Sequence, residues 1–122
     1  MPTPVLASAV FDWTRIVPRP TPVGACRDFF DSATRTLARL ECHVSTVNPG
    51  EASHAPHAHP DEELVIIQAG TLEVTINGVV AQAGPGSLFF FASWDLHGMR
   101  NAGTTPATYF VVRMFPRDLA TS

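Results

Sequence analysis

Runs of alternating apolar and polar residues recur along this chain at short, nearly regular intervals. In residues 37–47, Ala38, Leu40, Cys42 and Val44 alternate with Arg39, Glu41, His43 and Ser45, the period of two expected of a half-buried strand. Asn48, Pro49 and Gly50 form the turn that ends it. Residues 64–68 are apolar without alternation up to Gln68 and predict a strand covered on both faces. Leu72, Val74 and Ile76 then alternate with Glu73 and Thr75. Asn77-Gly78 is the pair that a type I′ hairpin turn requires, so residues 79–81 should return antiparallel. Gly84-Pro85-Gly86 is a further turn, and residues 88–91 and 108–114 complete the strands. Only residues 27–37 hint at a helical turn. Many short strands closed by Gly and Pro turns predict an all-β chain, a β-sandwich or jelly-roll barrel.

The first 36 residues depart from this pattern. Five of the eleven prolines (Pro2, Pro4, Pro18, Pro20 and Pro22) fall within the first 22 positions. Val5, Leu6, Val10, Phe11, Trp13, Ile16 and Val17 nevertheless make the segment too apolar for a disordered tail. We therefore divide the chain into an extended N-terminal arm, residues 1–36, and a barrel, residues 37–122. The arm should pack on the outside of its own barrel or add a strand to the open sheet edge of a neighbouring subunit. A homodimer is the expected assembly.

Composition narrows the function. With 122 residues, 45% of them hydrophobic, the chain suits one core and one domain. The net charge is −3 and all eight cationic side chains are arginine. No basic cluster offers a nucleic-acid footprint, and the lack of lysine excludes Schiff-base chemistry. The start, MPTPVLASAVFDW, has neither the positive n-region nor the apolar run of a secretory signal, and no apolar stretch reaches membrane-spanning length. A cytoplasmic protein without membrane partners is expected. Cys26 and Cys42 form no Cys-x-x-Cys pair or disulfide framework; Cys42 reads as a buried structural residue and Cys26 as a free thiol.

The chemistry concentrates in the segment 50–70. His57 and His59, one residue apart, point to the same side of an extended chain and can grip one ion. Glu63 shares their parity, but a straight strand rising ~3.3 Å per residue would carry it too far from His57. The chain must therefore bend, and Pro60 and Asp61 supply the turn, with Glu63 opening the next strand. His97 arrives later, followed by Asn101. His54 has the opposite parity and reads as a rim residue, while Asp61 reads as a turn former and Glu62 as facing out. Phe89, Phe90, Phe91 and Trp94 can be a substrate-contacting wall, but an aromatic run in a barrel strand reads first as core and dimer packing.

These residues resemble the two motifs of a small single-domain cupin. The first motif is matched by Gly50, six residues, His57-x-His59, three residues, Glu63, six residues and Gly70, with one residue more than usual before the first histidine. The second is matched by Gly86, five residues, then His97 and Asn101, with Ala92 and Trp94 where Pro and Gly are usual. The resemblance spans residues 37–115 with fifteen residues between the motifs. It implies a double-stranded β-helix of the RmlC-like type and a metal held by His57, His59, Glu63 and His97. Asn101 would serve backbone hydrogen bonding.

Three imidazoles and a carboxylate suit one divalent transition metal per chain: Fe, Mn, Ni, Zn, Co or Cu. Two open positions on a six-coordinate ion would admit a small-molecule substrate. A metal-dependent enzyme of the oxygenase (dioxygenase-like), isomerase or cyclase type is therefore expected. The second reading is a small-molecule binding or sensing module, and the third a structural or storage barrel whose metal site is accidental. Asp95, Tyr109 and Arg113 are candidate acids or bases near the metal, but no catalytic base follows from the sequence.

Overall fold

A computed structural model describes residues 4–117. Nine strands form two antiparallel sheets: β1 (Arg19–Thr21), β2 (Gly24–Ser32), β3 (Leu37–Val47), β4 (Glu62–Ala69), β5 (Leu72–Ile76), β6 (Val79–Ala83), β7 (Leu88–Phe91), β8 (His97–Asn101) and β9 (Ala107–Pro116). The larger sheet runs β1-β2-β3-β9-β4-β7 and the smaller β6-β5-β8. They pack face to face as a jelly-roll sandwich, because each strand has one row of side chains to bury against the opposite sheet. The core between them joins Val65, Ile67, Phe91 and Val111 of the larger sheet to Leu72 and Val74 of the smaller.

The register shows which row of each strand faces the interior. His43 pairs with Val111, which pairs with Val65, which pairs with Phe89. Two residues along, Glu41, Arg113, Glu63 and Phe91 form the next such row. Side chains paired across strands share a face, so Glu41, His43 and Ser45 point into the sandwich beside its apolar core. The apolar row of β3, with Cys42 and Val44, faces outward and is nonetheless buried. Alternation located the strand correctly but could not say that its polar row lines the interior.

The N-terminal segment explains how the outward row is covered. The Leu6 N–H donates to the Ala33 carbonyl at 2.8 Å. A single 3-10 turn, Trp13–Arg15, is capped by the Asp12 carboxylate, which accepts from the Thr14 N–H at 2.9 Å. The turn places Trp13 against Phe29 and Phe110, with ring centroids 6.3 and 6.1 Å away, and under the Arg27 guanidinium at 4.0 Å. Phe11 packs on Phe30 at 5.1 Å. Residues 4–18 thus lie over the outer face, whereas residues 19–32 supply β1 and β2 and extend the chain's own sheet at the β3 edge.

Two expectations are corrected. Residues 27–37 form no helical turn: most of the segment is β2, and its pairing with β3 slips between Asp28 and Phe30. That bulge at Phe29 breaks the alternation on which the sequence reading relied. Residues 64–68 are not covered on both faces, since Ile66 is 38% exposed while Val65 and Ile67 are buried. Trp13 of the arm packs on Phe110 of β9, one strand away from its register partner Ile66.

Two glycines in turns have unlike constraints. Gly78, in the Asn77-Gly78 hairpin, has φ +83 and an added Cβ there would meet open space, whereas at Gly70 (φ +86) an added Cβ would lie 2.7 Å from the Ala107 Cα of β9. Gly78→Ala should therefore cost about 1 kcal/mol, the penalty of a left-handed L-residue. Gly70→Ala must also displace β9 and should cost at least about 3 kcal/mol. Urea denaturation of the two variants checks this ordering, and equal midpoints would contradict it.

Candidate metal centre

His57 and His59 lie on a loop that is held against β8, the strand that His97 opens. Gly50 N–H donates to the Asn101 carbonyl and Asn101 N–H to the Glu51 carbonyl, both at 2.9 Å. Further along, His57 and His97 exchange backbone bonds of 2.9 and 3.0 Å, and Trp94 N–H donates to the His59 carbonyl at 2.8 Å. The loop therefore runs as an irregular extra strand on the smaller sheet, and Gly98 permits its close approach to Pro56. Asn101 anchors the arrangement: its buried amide donates to the Val47 and Thr105 carbonyls and accepts from Gly103 N–H, each at 2.9 Å. This is the structural part expected of it. Trp94 stands in a left-handed conformation, φ +66, at the position where the motif has Gly. The loop keeps its path at a cost of about 1 kcal/mol.

His57, His59, Glu63 and His97 converge, with one ligating atom from each lying within 4.8 Å of the others. The bend at Pro60 and Asp61, followed by β4 from Glu62, brings Glu63 back to the histidines as the sequence requires. The His59 Nδ1 lies 2.9 Å from the Asp61 carbonyl, and the His97 Nδ1 lies 3.0 Å from the Asp95 carbonyl. A carbonyl only accepts, so both Nδ1 atoms carry a proton, and in the neutral form of each ring the lone pair is on Nε2. The Nε2 atoms of His57, His59 and His97 are all buried with no hydrogen-bond partner among the described residues. Glu63 Oε1 lies 3.2 Å from His59 Nε2 and 3.8 Å from His97 Nε2.

Burial, then the neighbouring imidazoles of His54, His97 and His59, bring the His57 pKa down to about 4. Burial also lowers that of His97. Neutral imidazoles are what a metal needs. Four acceptors directed at one point within a buried space repel one another unless a cation lies between them, so the residues present fit a metal ion. Phe91 backs the site: its ring stacks on His97 at 4.0 Å with planes 7° apart.

Other residues take roles that the sequence resolved only in part. Asp61 is no mere turn former: it is 2% exposed and bound through both oxygens to Arg113, Nε to Oδ2 at 2.7 Å and Nη2 to Oδ1 at 3.0 Å. Burial opposes its ionisation, but the Arg113 bonds prevail and hold its pKa below the usual carboxylate value. Its Oδ1 also lies 3.0 Å from His59 Nδ1, so it orients a ligand. His54 is exposed and stacked on His57 at 4.1 Å, at the rim. Of the aromatic run, Phe89 and Phe91 are core, but Phe90 and Trp94 are 48% and 66% exposed and do not pack inside. Asp95 contributes its carbonyl to His97, whereas Tyr109 and Arg113 do line the interior cavity.

That cavity, about 130 Å³, lies beside His57 and Glu63 and is walled by His43, Ser45, Ser53 and Tyr109 among others. His43, Ser45 and Ser53 also wall a neighbouring cavity of about 220 Å³ that extends toward β1 and β2. The Tyr109 hydroxyl lies 2.7 Å from Ser53 Oγ, and burial raises its pKa, so it stays protonated. Ser53 and the pair Glu41–His43 escaped the sequence reading. The only signal for Glu41 and His43 was the polar parity of β3, which reads equally as a solvent face, and Ser53 lies in the irregular loop after β3, where no periodicity marks it.

The chain superposes on an RmlC-like cupin from Shewanella frigidimarina with a TM-score of 0.71 at 17% identity, over 91% of this chain and 95% of that one. A predicted oxalate decarboxylase from Thermotoga maritima gives a TM-score of 0.71 at 18% identity over 88% and 99%. The cupin domain of an XRE family transcriptional regulator from Enterobacter cloacae is 26% identical, with a TM-score of 0.57 over 64% and 83%. No curated protein sequence is significantly similar. The family model described as Cupin domain matches residues 43–113, more than half of the chain and all four converging side chains, so the chain belongs to the cupin family.

Proposed function

We propose that this cupin is a metal-dependent enzyme acting on a small organic molecule, of the oxygenase, isomerase or cyclase type. One divalent transition metal per chain, among Fe, Mn, Ni, Zn, Co and Cu, would be held by His57, His59, Glu63 and His97. The observation that carries this reading is the set of three buried imidazole nitrogens without partners among the described residues, beside Glu63 and at the wall of a cavity that His43, Ser45 and Tyr109 also line. When bound, such a metal acts as a Lewis acid on a ligand oxygen. The chain's own residues do the rest: Asp61 and Arg113 fix His59, Phe91 fixes His97, and Tyr109 and Ser53 offer hydroxyls to a molecule in the cavity.

A binding or sensing role is the second reading. It draws on the 26% identity to a cupin domain from a transcriptional regulator. Turnover of a bound ligand separates the two. For assembly we propose a homodimer, supported by the exposed outer stripe of Ile66, Leu88 and Phe90, which the arm leaves uncovered. Among the described residues no helix is long and apolar enough to cross a membrane.

Three outcomes are expected. Elemental analysis by mass spectrometry should find about one ion per chain in the wild type, and His59→Ala should lose most of it while circular dichroism still reports a β fold. Full metal occupancy of that variant after mild chelation would refute the ligand set. Asp61→Asn, which removes the charge that orients His59, should weaken metal affinity roughly ten-fold in a competitive chelator titration. Phe90→Glu should shift a dimer toward monomer in light scattering, and an unaltered mass would place any interface elsewhere.

A further inference from the structure

Two imidazoles outside the metal centre wall the cavity beside it, His43 and His54, and His54 is exposed, stacked on the ligand His57 and bonded only to the Ala55 carbonyl beside it in sequence. Arg113 is paired with Asp61, Tyr109 with Ser53, and His57 and Glu63 belong to the metal centre. His43 remains. It projects from β3 into the interior, and it walls both the cavity at the metal centre and its larger neighbour. Its Nδ1 lies 2.6 Å from Glu41 Oε1, a short, charge-assisted contact. The other Glu41 oxygen, Oε2, is buried without a hydrogen-bond partner among the described residues. Arg113 lies opposite Glu41 in the strand register, which places a positive charge near that carboxylate. A carboxylate orients an imidazole by accepting from one ring nitrogen, leaving the other free to take a proton.

We propose that His43 is a catalytic base, positioned by Glu41, for a small carbonyl compound bound between it and the metal centre. This deepens the enzyme reading of the same site and rests on it. The step needs no further reactant. His43 Nε2 takes a proton from the carbon next to the carbonyl, the C–H electron pair forms a C=C bond, and the carbonyl π pair moves to oxygen, giving an enolate. Glu41 stabilises the resulting imidazolium. Where the deprotonated carbon bears a hydroxyl, the proton of that hydroxyl passes to the enolate oxygen, the electron pair it leaves forms the new carbonyl, and the C=C pair takes the proton back from His43 at the former carbonyl carbon; this completes an isomerisation and regenerates neutral His43.

The test uses the full chain, metal-loaded and metal-stripped. Diethyl pyrocarbonate acylates a free, neutral imidazole nitrogen, and fragment mass spectrometry locates the adduct. His43 should be acylated in both forms, and Glu41→Gln should slow its acylation roughly ten-fold, the factor that one lost charge-assisted bond represents. His43→Gln and Glu41→Gln should keep the wild-type metal content, since neither residue is a ligand. An inert His43, or a rate indifferent to Glu41→Gln, overturns the proposal. Nitrogen-15 NMR of the wild-type ring in mildly alkaline buffer, immune to any misfolding of the variants, should show the proton on Nδ1 and a lone pair on Nε2; the opposite tautomer also overturns it. A reactive His43 in a chain that binds no metal would instead sink the metal-enzyme reading and leave the pair intact.

Discussion

Three imidazole lone pairs and a carboxylate share one buried point, and much of the surrounding structure serves to hold them there. Placing four acceptors together without a positive charge is costly, because each has given up its bonds to water. The backbone prevents the easiest escape, rotation of the rings. Carbonyls of Asp61 and Asp95 fix the Nδ1 protons of His59 and His97, and Phe91 covers the face of His97. The loop carrying His57 and His59 is tied to β8 at Asn101 and His97, and to the turn before β8 at Trp94. A cation resolves the conflict that these restraints create.

The arm serves the site from a distance. A sheet with an apolar row on each face must cover both, and here Trp13 and Phe11 pack on Phe29 and Phe30 of β2 and Phe110 of β9, the strands that flank β3, on the outer face. With apolar burial met on that side, β3 can point Glu41, His43 and Ser45 inward. The result is an interior with two regions: a dry core of Val65, Ile67, Leu72 and Phe91, and a polar cavity walled by β3 and β9. Proximity of the two regions sharpens the electrostatics of the polar one, since low-dielectric walls strengthen every charge interaction inside.

Much of this was legible in the sequence where the signal was local. The strands with clean alternation (β3, β5) and the hairpin at Asn77-Gly78 follow from period and turn chemistry. The four ligands follow from parity, one forced bend and the resemblance to cupin motifs. The other features depended on distant contacts. The Phe29 bulge hid β2, and β8 is short and opens on the buried His97, so it shows no apolar run. Asp61 looked like a turn residue because its partner, Arg113, lies fifty-two positions away. The inward polar row of β3 became visible only with the arm in place over the opposite face.

X-ray absorption spectroscopy at the edge of the metal carried by the purified protein addresses the central claim most directly. Nitrogen and oxygen neighbours are expected at about 2.0–2.2 Å, with the multiple-scattering pattern of about three imidazoles. Sulfur at about 2.3 Å, which would implicate Cys26 or Cys42, or a shell without imidazole scattering, would contradict it.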